Sequence, residues 1–288
     1  MKSRERRLLA EAAFKASLDE ALTTPKPGLV DADGSGCHED MDCALFIKSA
    51  EALAPFWERQ AAVGLDGTPP ERAMQPLRAA GVEMERAMLT VTNGINTHKG
   101  LIYLMSLLLY GAGSVIAAGG ERSADSCARA AAAAARGSVK RELEPLLDKK
   151  MTGVPLSNGE RLFTEHGVTG VRGEAERGFP SVLKAGLPAL RGALDAGAAA
   201  NDAGLAALLE IMLVCEDSNV MHRGGWSFWR FRYPAMVREA ARSFRPLDAD
   251  YSPLLALERK FMPLRISPGG AADLLSCTYF VNSFSLII

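Results

Sequence analysis

Five short segments of this 288-residue chain are far more polar and glycine-rich than the apolar stretches between them, and three of the four histidines lie in three of them. Loops held by a rigid scaffold are where binding and catalysis concentrate. The first segment, TPKPGLVDADGSGCHEDMD (24–42), gathers Asp31, Asp33, Glu39, Asp40 and Asp42. These are hard oxygen donors of the kind Mg²⁺ takes together with water and substrate phosphates. His38 and Asp42 stand four apart at a helix start and so share a face, although Asp40 or Asp42 would equally serve as an N-cap. Lys26 sits between Pro25 and Pro27, with its ammonium expected to point outward.

The second segment, NGINTHKG (93–100), runs directly into a long apolar stretch. Asn96 or Thr97 suits its cap, leaving backbone N–H groups at the positive end of a helix whose first turn holds His98, Lys99 and Gly100. Such an end attracts phosphates. A lysine there opposes the macrodipole unless an anion joins it. The third segment, TGVRGEAERGFPSV (169–182), carries Arg172, Glu174, Glu176 and Arg177 in a pattern that ordinarily marks a solvated helix face. The fourth, CEDSNVMHRGG (215–225), follows an apolar helix, which places Glu216 and Asp217 at a helix C-terminus against the dipole. A metal or substrate would explain them there. His222 and Arg223, before Gly224 and Gly225, form a second anion-binding candidate. In the fifth, RISPGGAADLL (265–275), Ser267 and Pro268 stop one helix, and Gly269 and Gly270 let backbone approach a ligand. His166 reads as structural or surface. No Walker A or GxGxxG string and no nucleophile elbow is present.

Hydrophobic periodicity predicts helices over 2–22, 42–60, 70–90, 97–118, 123–148, 180–196, 201–216, 226–243, 250–263 and 270–284. In the first, Leu8, Ala12, Ala16 and Leu22 mark the apolar side. Alternating strand patterns and a βαβ rhythm are missing, so the reading is an all-α, single-domain bundle over 1–288 with functional loops between helices. The uncharged stretch from Gly100 to Gly120 has nearly spanning length, but Gly111, Gly113 and Ser114 within it favour a buried central helix.

Composition narrows the function. With 48% hydrophobic and 23% charged residues and a net charge of −1, the chain is globular and lacks the basic surplus of a nucleic-acid binder. Five scattered cysteines without a CxxC pair suggest neither a disulfide framework nor a zinc site. The charged N-terminal stretch has no signal-peptide core, and a cytoplasmic location without membrane attachment is expected. A homo-oligomer is compatible with the sequence.

The strings TPKPGLVD, GxHxDMD, GINTHKG, GVRGEAERGFPSV, DSNVMHRGG and SPGGAADLL, in this order from about residue 20 to 280, resemble the triphosphoribosyl-dephospho-CoA synthase family of citrate lyase and malonate decarboxylase gene clusters. The family is all-helical. The resemblance implies a pentosyltransferase that joins C1 of ATP's ribose to the 2′-hydroxyl of 3′-dephospho-CoA and releases adenine. Its product would pass to an enzyme that loads an acyl-carrier protein. ATP is then a substrate and Mg²⁺ its expected companion. A β-glycosidic bond becomes an α linkage, which implies one inverting displacement with a triphosphate anchor, a base for the hydroxyl and stabilisation of an oxocarbenium-like transition state.

On this reading Lys26, Asn96, Thr97, His98, Lys99, Gly100, Arg172, His222, Arg223, Gly224, Gly225, Ser267, Gly269 and Gly270 bind ATP and the acceptor. Asp40, Asp42 and Asp217 hold Mg²⁺, Glu174 or Asp217 is the base, and His38 assists adenine departure. Departures from the family pattern are Cys37 in place of a small residue, Asn158 in place of histidine and His166 in place of tyrosine. The RGEAE string resembles the citrate lyase branch more than the malonate branch. The rival classes are a Mg²⁺-dependent nucleotide or ADP-ribose hydrolase, and a silent nucleotide-binding scaffold.

Overall fold

The first helix, α1 (Lys2–Leu22), buries an alanine-rich stripe of Leu9, Ala13, Ala16 and Glu20 rather than the side marked by Leu8 and Leu22, and Leu22 is exposed. This stripe packs on α2 (Cys43–Leu65), α4 (Lys99–Ala117) and α15 (Gly269–Phe284). The structure is a computed structural model describing residues 2–149 and 156–286, and every regular element among them is helical. The remaining helices are α3 (Pro70–Val91), α5 (Ala124–Ala135), α6 (Ser138–Glu142), α7 (Pro145–Lys149), α8 (Asn158–His166), α9 (Gly170–Glu176), α10 (Leu187–Asp195), α11 (Ala200–Val214), α12 (Ser218–Gly224), α13 (Tyr233–Ser243) and α14 (Ser252–Phe261). Single π-type turns over Val182–Gly186 and Phe228–Arg232 lead into α10 and α13.

Helix α4 is the axis of the core. Twelve of its 19 residues are buried, so its spanning length serves a protein interior. Gly64 and Gly111 allow the neighbours to come close. A Cβ on Gly64 would stand 2.1 Å from the Tyr110 carbonyl oxygen of α4, and one on Gly111 would stand 2.3 Å from that of Cys127 on α5. Those contacts account for the glycines and fix α2, α4 and α5 at backbone distance.

Two expectations fail at element boundaries. The span 123–148 is three helices, because Gly137 at φ 74° breaks the run after Ala135. The segments around 158–166, 170–176 and 218–224 form helices α8, α9 and α12 instead of loops. They are too short for hydrophobic periodicity to register. Side-chain caps hold them: Ser157 and Glu160 form a reciprocal box at α8, and Asp217 accepts from the amides of Asn219 and Val220 at α12.

Candidate active site

Residues from all five polar segments meet around one cavity of about 490 Å³, within the range of small-molecule sites. His38, Asn96, Thr97, His98, Lys99, Gly100, Arg172, Arg223, Ser267, Gly269 and Gly270 all line it. A slightly larger groove of about 530 Å³ between α1, α10 and α15 is lined by none of the five segments, and its Lys15 and Asp19 pair with each other at 2.6 Å. The polar cavity is therefore the candidate site.

Its floor is a buried polar network. Lys26 is not held outward. Its side chain is 1% exposed, and its ammonium pairs with the Glu20 carboxylate and donates to the Glu20 carbonyl at 2.5 Å. The stiff loop folds back under the cavity because its own amide also donates to Asp31 at 2.7 Å. Burial pushes Glu20 up, against the pull of Lys26. Beside this pair, Ser49 links the Thr97 hydroxyl at 2.7 Å to Nδ1 of His98 at 2.8 Å. His98 Nε2 is buried without a partner among the described residues. Burial and the nearby Lys26 hold this imidazole down to about 4, so His98 is neutral and is not a phosphate-holding cation.

At the start of α4 the amides are already engaged. The N-cap of α4 is His98 rather than Asn96 or Thr97, but Asn96 Oδ1 accepts from the Lys99 amide at 3.1 Å. The Asp273 carboxylate, from the second turn of α15, lies directly over Gly100: a Cβ there would stand 2.1 Å from Oδ2. Asp273 lines the cavity, and its pKa is raised well above the ordinary range by burial, Glu20 and Asp217, with the Leu101 amide opposing. Lys99 meets an anion after all, but it is Glu85 of α3, at 2.5 Å.

The acidic residues assigned to catalysis and metal serve elsewhere. Helix α11 ends at Val214, so Glu216 and Asp217 stand before the next helices rather than against the dipole of the last one. Glu216 accepts from the amides of Thr169 and Gly170 at 3.0 and 3.2 Å, at the start of α9. Asp217 gives one oxygen to α12 and the other to the Ala271 amide of α15 at 2.9 Å. Its oxygens are thus spent on backbone, and it does not line the cavity. Burial raises it, opposed by those amides. Glu174 is likewise buried outside the cavity, accepting from the Ser181 amide at 2.8 Å and hydroxyl at 3.0 Å. Neither expected base lines the cavity.

The proposed Mg²⁺ set is not assembled. Asp42 caps α2 by accepting from Leu45, Asp40 is exposed 3.7 Å from His38, and Asp217 is committed as described. Among the described residues no three His, Cys, Asp or Glu side chains converge on a metal position. Those three aspartates therefore do not fit a protein-held ion.

The rim carries the cations. Arg223 donates to the Arg265 carbonyl at 3.0 Å and approaches His38 Nδ1 at 3.4 Å, with no carboxylate partner among the described residues. His38 Nε2 meets Ser267 Oγ at 2.8 Å, and burial together with Arg223 lowers its pKa. Arg172 pairs with Glu142 at 2.8 Å. His222 faces Arg161 at 3.5 Å rather than the cavity. Gly224 is packed on Phe228, and Gly225 at φ 84° ends α12, so neither is a ligand-approach glycine. His166 stacks on Trp226, ring centroids 5.1 Å apart, as a structural or surface residue would.

Sequence reading missed Glu20, Ser49 and Asp273. The first two lie on helices that look like ordinary scaffold. Glu20 was detectable as the one acid on the buried stripe of α1, and Asp273 as a third member of the face that begins at Gly269 and Gly270.

The sequence model of the family described as ATP:dephospho-CoA triphosphoribosyl transferase matches residues 6–286. The chain is 35% identical over 277 residues to a Vibrio cholerae protein named probable 2-(5″-triphosphoribosyl)-3′-dephosphocoenzyme-A synthase, covering 96% of this chain and 87% of that one. It is 36% identical to the synthase so named in Pectobacterium atrosepticum, covering 92% and 85%, and 39% identical to a probable synthase of Azotobacter vinelandii, covering 95% and 90%. No solved structure matches the chain.

Proposed function

The chain belongs to the ATP:dephospho-CoA triphosphoribosyl transferase family, is an enzyme of the transferase class, and on that footing we propose that it moves the triphosphoribosyl group of ATP to the 2′-hydroxyl of 3′-dephospho-CoA. The observation that carries this is the convergence of all five polar segments on one cavity with arginine and lysine at its rim and neutral imidazoles within. Such a cavity suits a substrate whose charge is remote from its reacting atoms. Lys99, Arg172 and Arg223 hold phosphates at the rim. That leaves the ribose C1 toward a floor where developing cationic charge can be met by the carboxylates of Glu20 and Asp273. Mg²⁺ would enter with the triphosphate as its counter-ion.

The triphosphate survives the reaction, because attack falls on carbon and the phosphates serve as a handle. We assign the product to the citrate lyase branch, with the RGEAE string of residues 172–176 as support, and to a downstream enzyme that loads an acyl-carrier protein.

The test is product analysis. Purified protein with ATP, Mg²⁺ and 3′-dephospho-CoA should release adenine and form a coupled product carrying all three ATP phosphates, resolved by chromatography with mass detection. Coenzyme A should react poorly, since its 3′-phosphate crowds the attacking hydroxyl. Stoichiometric ADP or phosphate without adenine would overturn the reading in favour of a hydrolase. Adenine release that is indifferent to the acceptor would mark a nucleosidase.

A further inference from the structure

We propose that Asp273 is the catalytic base, taking the proton of the acceptor's attacking hydroxyl, and that Gly100 is the positioning residue that lets its carboxylate lie over the first turn of α4. This rests on the transferase reading above and adds the group that reading leaves unassigned.

Four buried carboxylates, Glu20, Asp31, Glu174 and Asp217, already spend their oxygens within the protein. Glu174 gives both to Ser181, and Asp217 gives both to backbone amides. Asp31 takes the amides of Lys26, Asp33 and Gly34, and Glu20 is pinned by the Lys26 ammonium. Asp273 differs from all four. It faces the cavity, has no cation partner among the described residues, and meets only the Leu101 amide. The two histidines of the cavity serve poorly as bases. His98 is held down to about 4, and His38 has Nε2 on Ser267 and Nδ1 against the Arg223 guanidinium.

Asp273 can approach only because position 100 lacks a side chain. A methyl group there would collide with Oδ2 at 2.1 Å and crowd Cγ at 3.1 Å. The titratable groups around Asp273 are Glu20 on α1, Asp217 before α12 and, one turn along α15, the uncharged Cys277 thiol. The cavity's cations Lys99, Arg172 and Arg223 are engaged with Glu85, Glu142 and the Arg265 carbonyl, and none pairs with Asp273 among the described residues. The acidic neighbours and burial make the carboxylate a stronger base than a solvated one, which suits abstraction from an alcohol near neutral pH.

The step balances without a further reagent. The C1–N9 bond of ATP breaks with its electron pair going to adenine, and a bond forms between C1 and the acceptor's 2′-oxygen. The hydroxyl proton passes to Asp273 and leaves through solvent, while N9 of the departing base takes up one proton.

The experiment compares the wild-type enzyme with Asp273→Asn, Asp273→Glu and Gly100→Ala. It reads kcat from adenine release, its pH profile, and the affinities for ATP and dephospho-CoA by calorimetry. The wild type should show a kcat that rises with pH through an apparent pKa above the ordinary carboxylate range. Asp273→Asn should lose about 10²–10⁴-fold in kcat together with that acidic limb, with both affinities within about threefold. Asp273→Glu should recover part of the rate. Gly100→Ala, which keeps the carboxylate but displaces it, should lower kcat without abolishing ATP binding, and it keeps the test decisive if Asp273→Asn folds poorly. An Asp273→Asn enzyme within tenfold of wild type, or one that keeps the acidic limb, overturns the proposal. So does a Gly100→Ala enzyme of undiminished kcat. Failure of the transferase reading would appear separately, as wild-type enzyme forming no adenine.

Discussion

Asp217 is a buried aspartate and Asp273 a half-buried one, both lie beside helix N-termini, desolvation raises the pKa of both, and they do opposite things. Around Asp217, before α12, the carboxylate joins two helices and every lone pair meets a backbone amide. Around Asp273, at the start of α4, the carboxylate meets one amide and looks into the cavity. The same direction of pKa shift thus accompanies one residue that is a fastener and another that keeps capacity to react. What separates them is the count of satisfied oxygens, and a pKa direction alone would have ranked them together.

The widest separation should appear in stability. Asp217→Ala orphans three amides at the starts of two helices, those of Val220 and Ala271 buried, and denaturant unfolding should show a loss of about 3–5 kcal/mol. A loss below about 0.5 kcal/mol would remove the fastener role. This reverses the expectation drawn from a helix C-terminus, under which removing the charge would have stabilised the fold.

Next comes His98. Burial holds its pKa down to about 4 from the ordinary 6.5, so on acidification the unfolded chain takes up a proton that the folded chain refuses. Its contribution to stability is present above about pH 6.5 and is lost as pH falls toward about 4, worth on the order of 3 kcal/mol at most. Glu20, Glu174, Asp217 and Asp273, all raised, act in the opposite sense, favouring the folded state at low pH. The comparison of wild type with His98→Gln isolates the histidine: the variant should lose less stability between pH 6.5 and 4. Equal slopes would mean that His98 is not buried neutral.

Smaller effects belong to the rim. Arg223 has no acidic partner among the described residues whereas Lys99 is shared with Glu85, so Arg223→Met should weaken ATP binding by about tenfold to a hundredfold. Lys99→Met should cost less, about threefold to tenfold. Calorimetric titration giving the reverse order would place the triphosphate nearer α4. Smallest of all, Glu85→Gln should change unfolding free energy by less than about 0.5 kcal/mol, since this pair is exposed and screened.

Much of this architecture is legible in the residues. The apolar periods of α1 to α4 and α11 announce a helical core, and Gly111 within the uncharged stretch announces close helix packing rather than a membrane span. Polar, glycine-rich composition marks the five segments, and eleven of the residues picked from them do line the cavity. Those signals are local, and local chemistry is what a linear string preserves.

The roles of the acids are a different matter. Whether Asp217 opposes the helix behind it or caps the one ahead depends on where α11 stops, and its second partner is Ala271, 54 residues away. Lys26 turns inward because Glu20 waits on a neighbouring helix, and Lys99 is neutralised from α3. Charge type and spacing set which residues are able to take part. Only the packed helices decide which lone pairs are spent on backbone and which face the cavity, because a buried amide takes the nearest acceptor in space, whatever its distance along the chain.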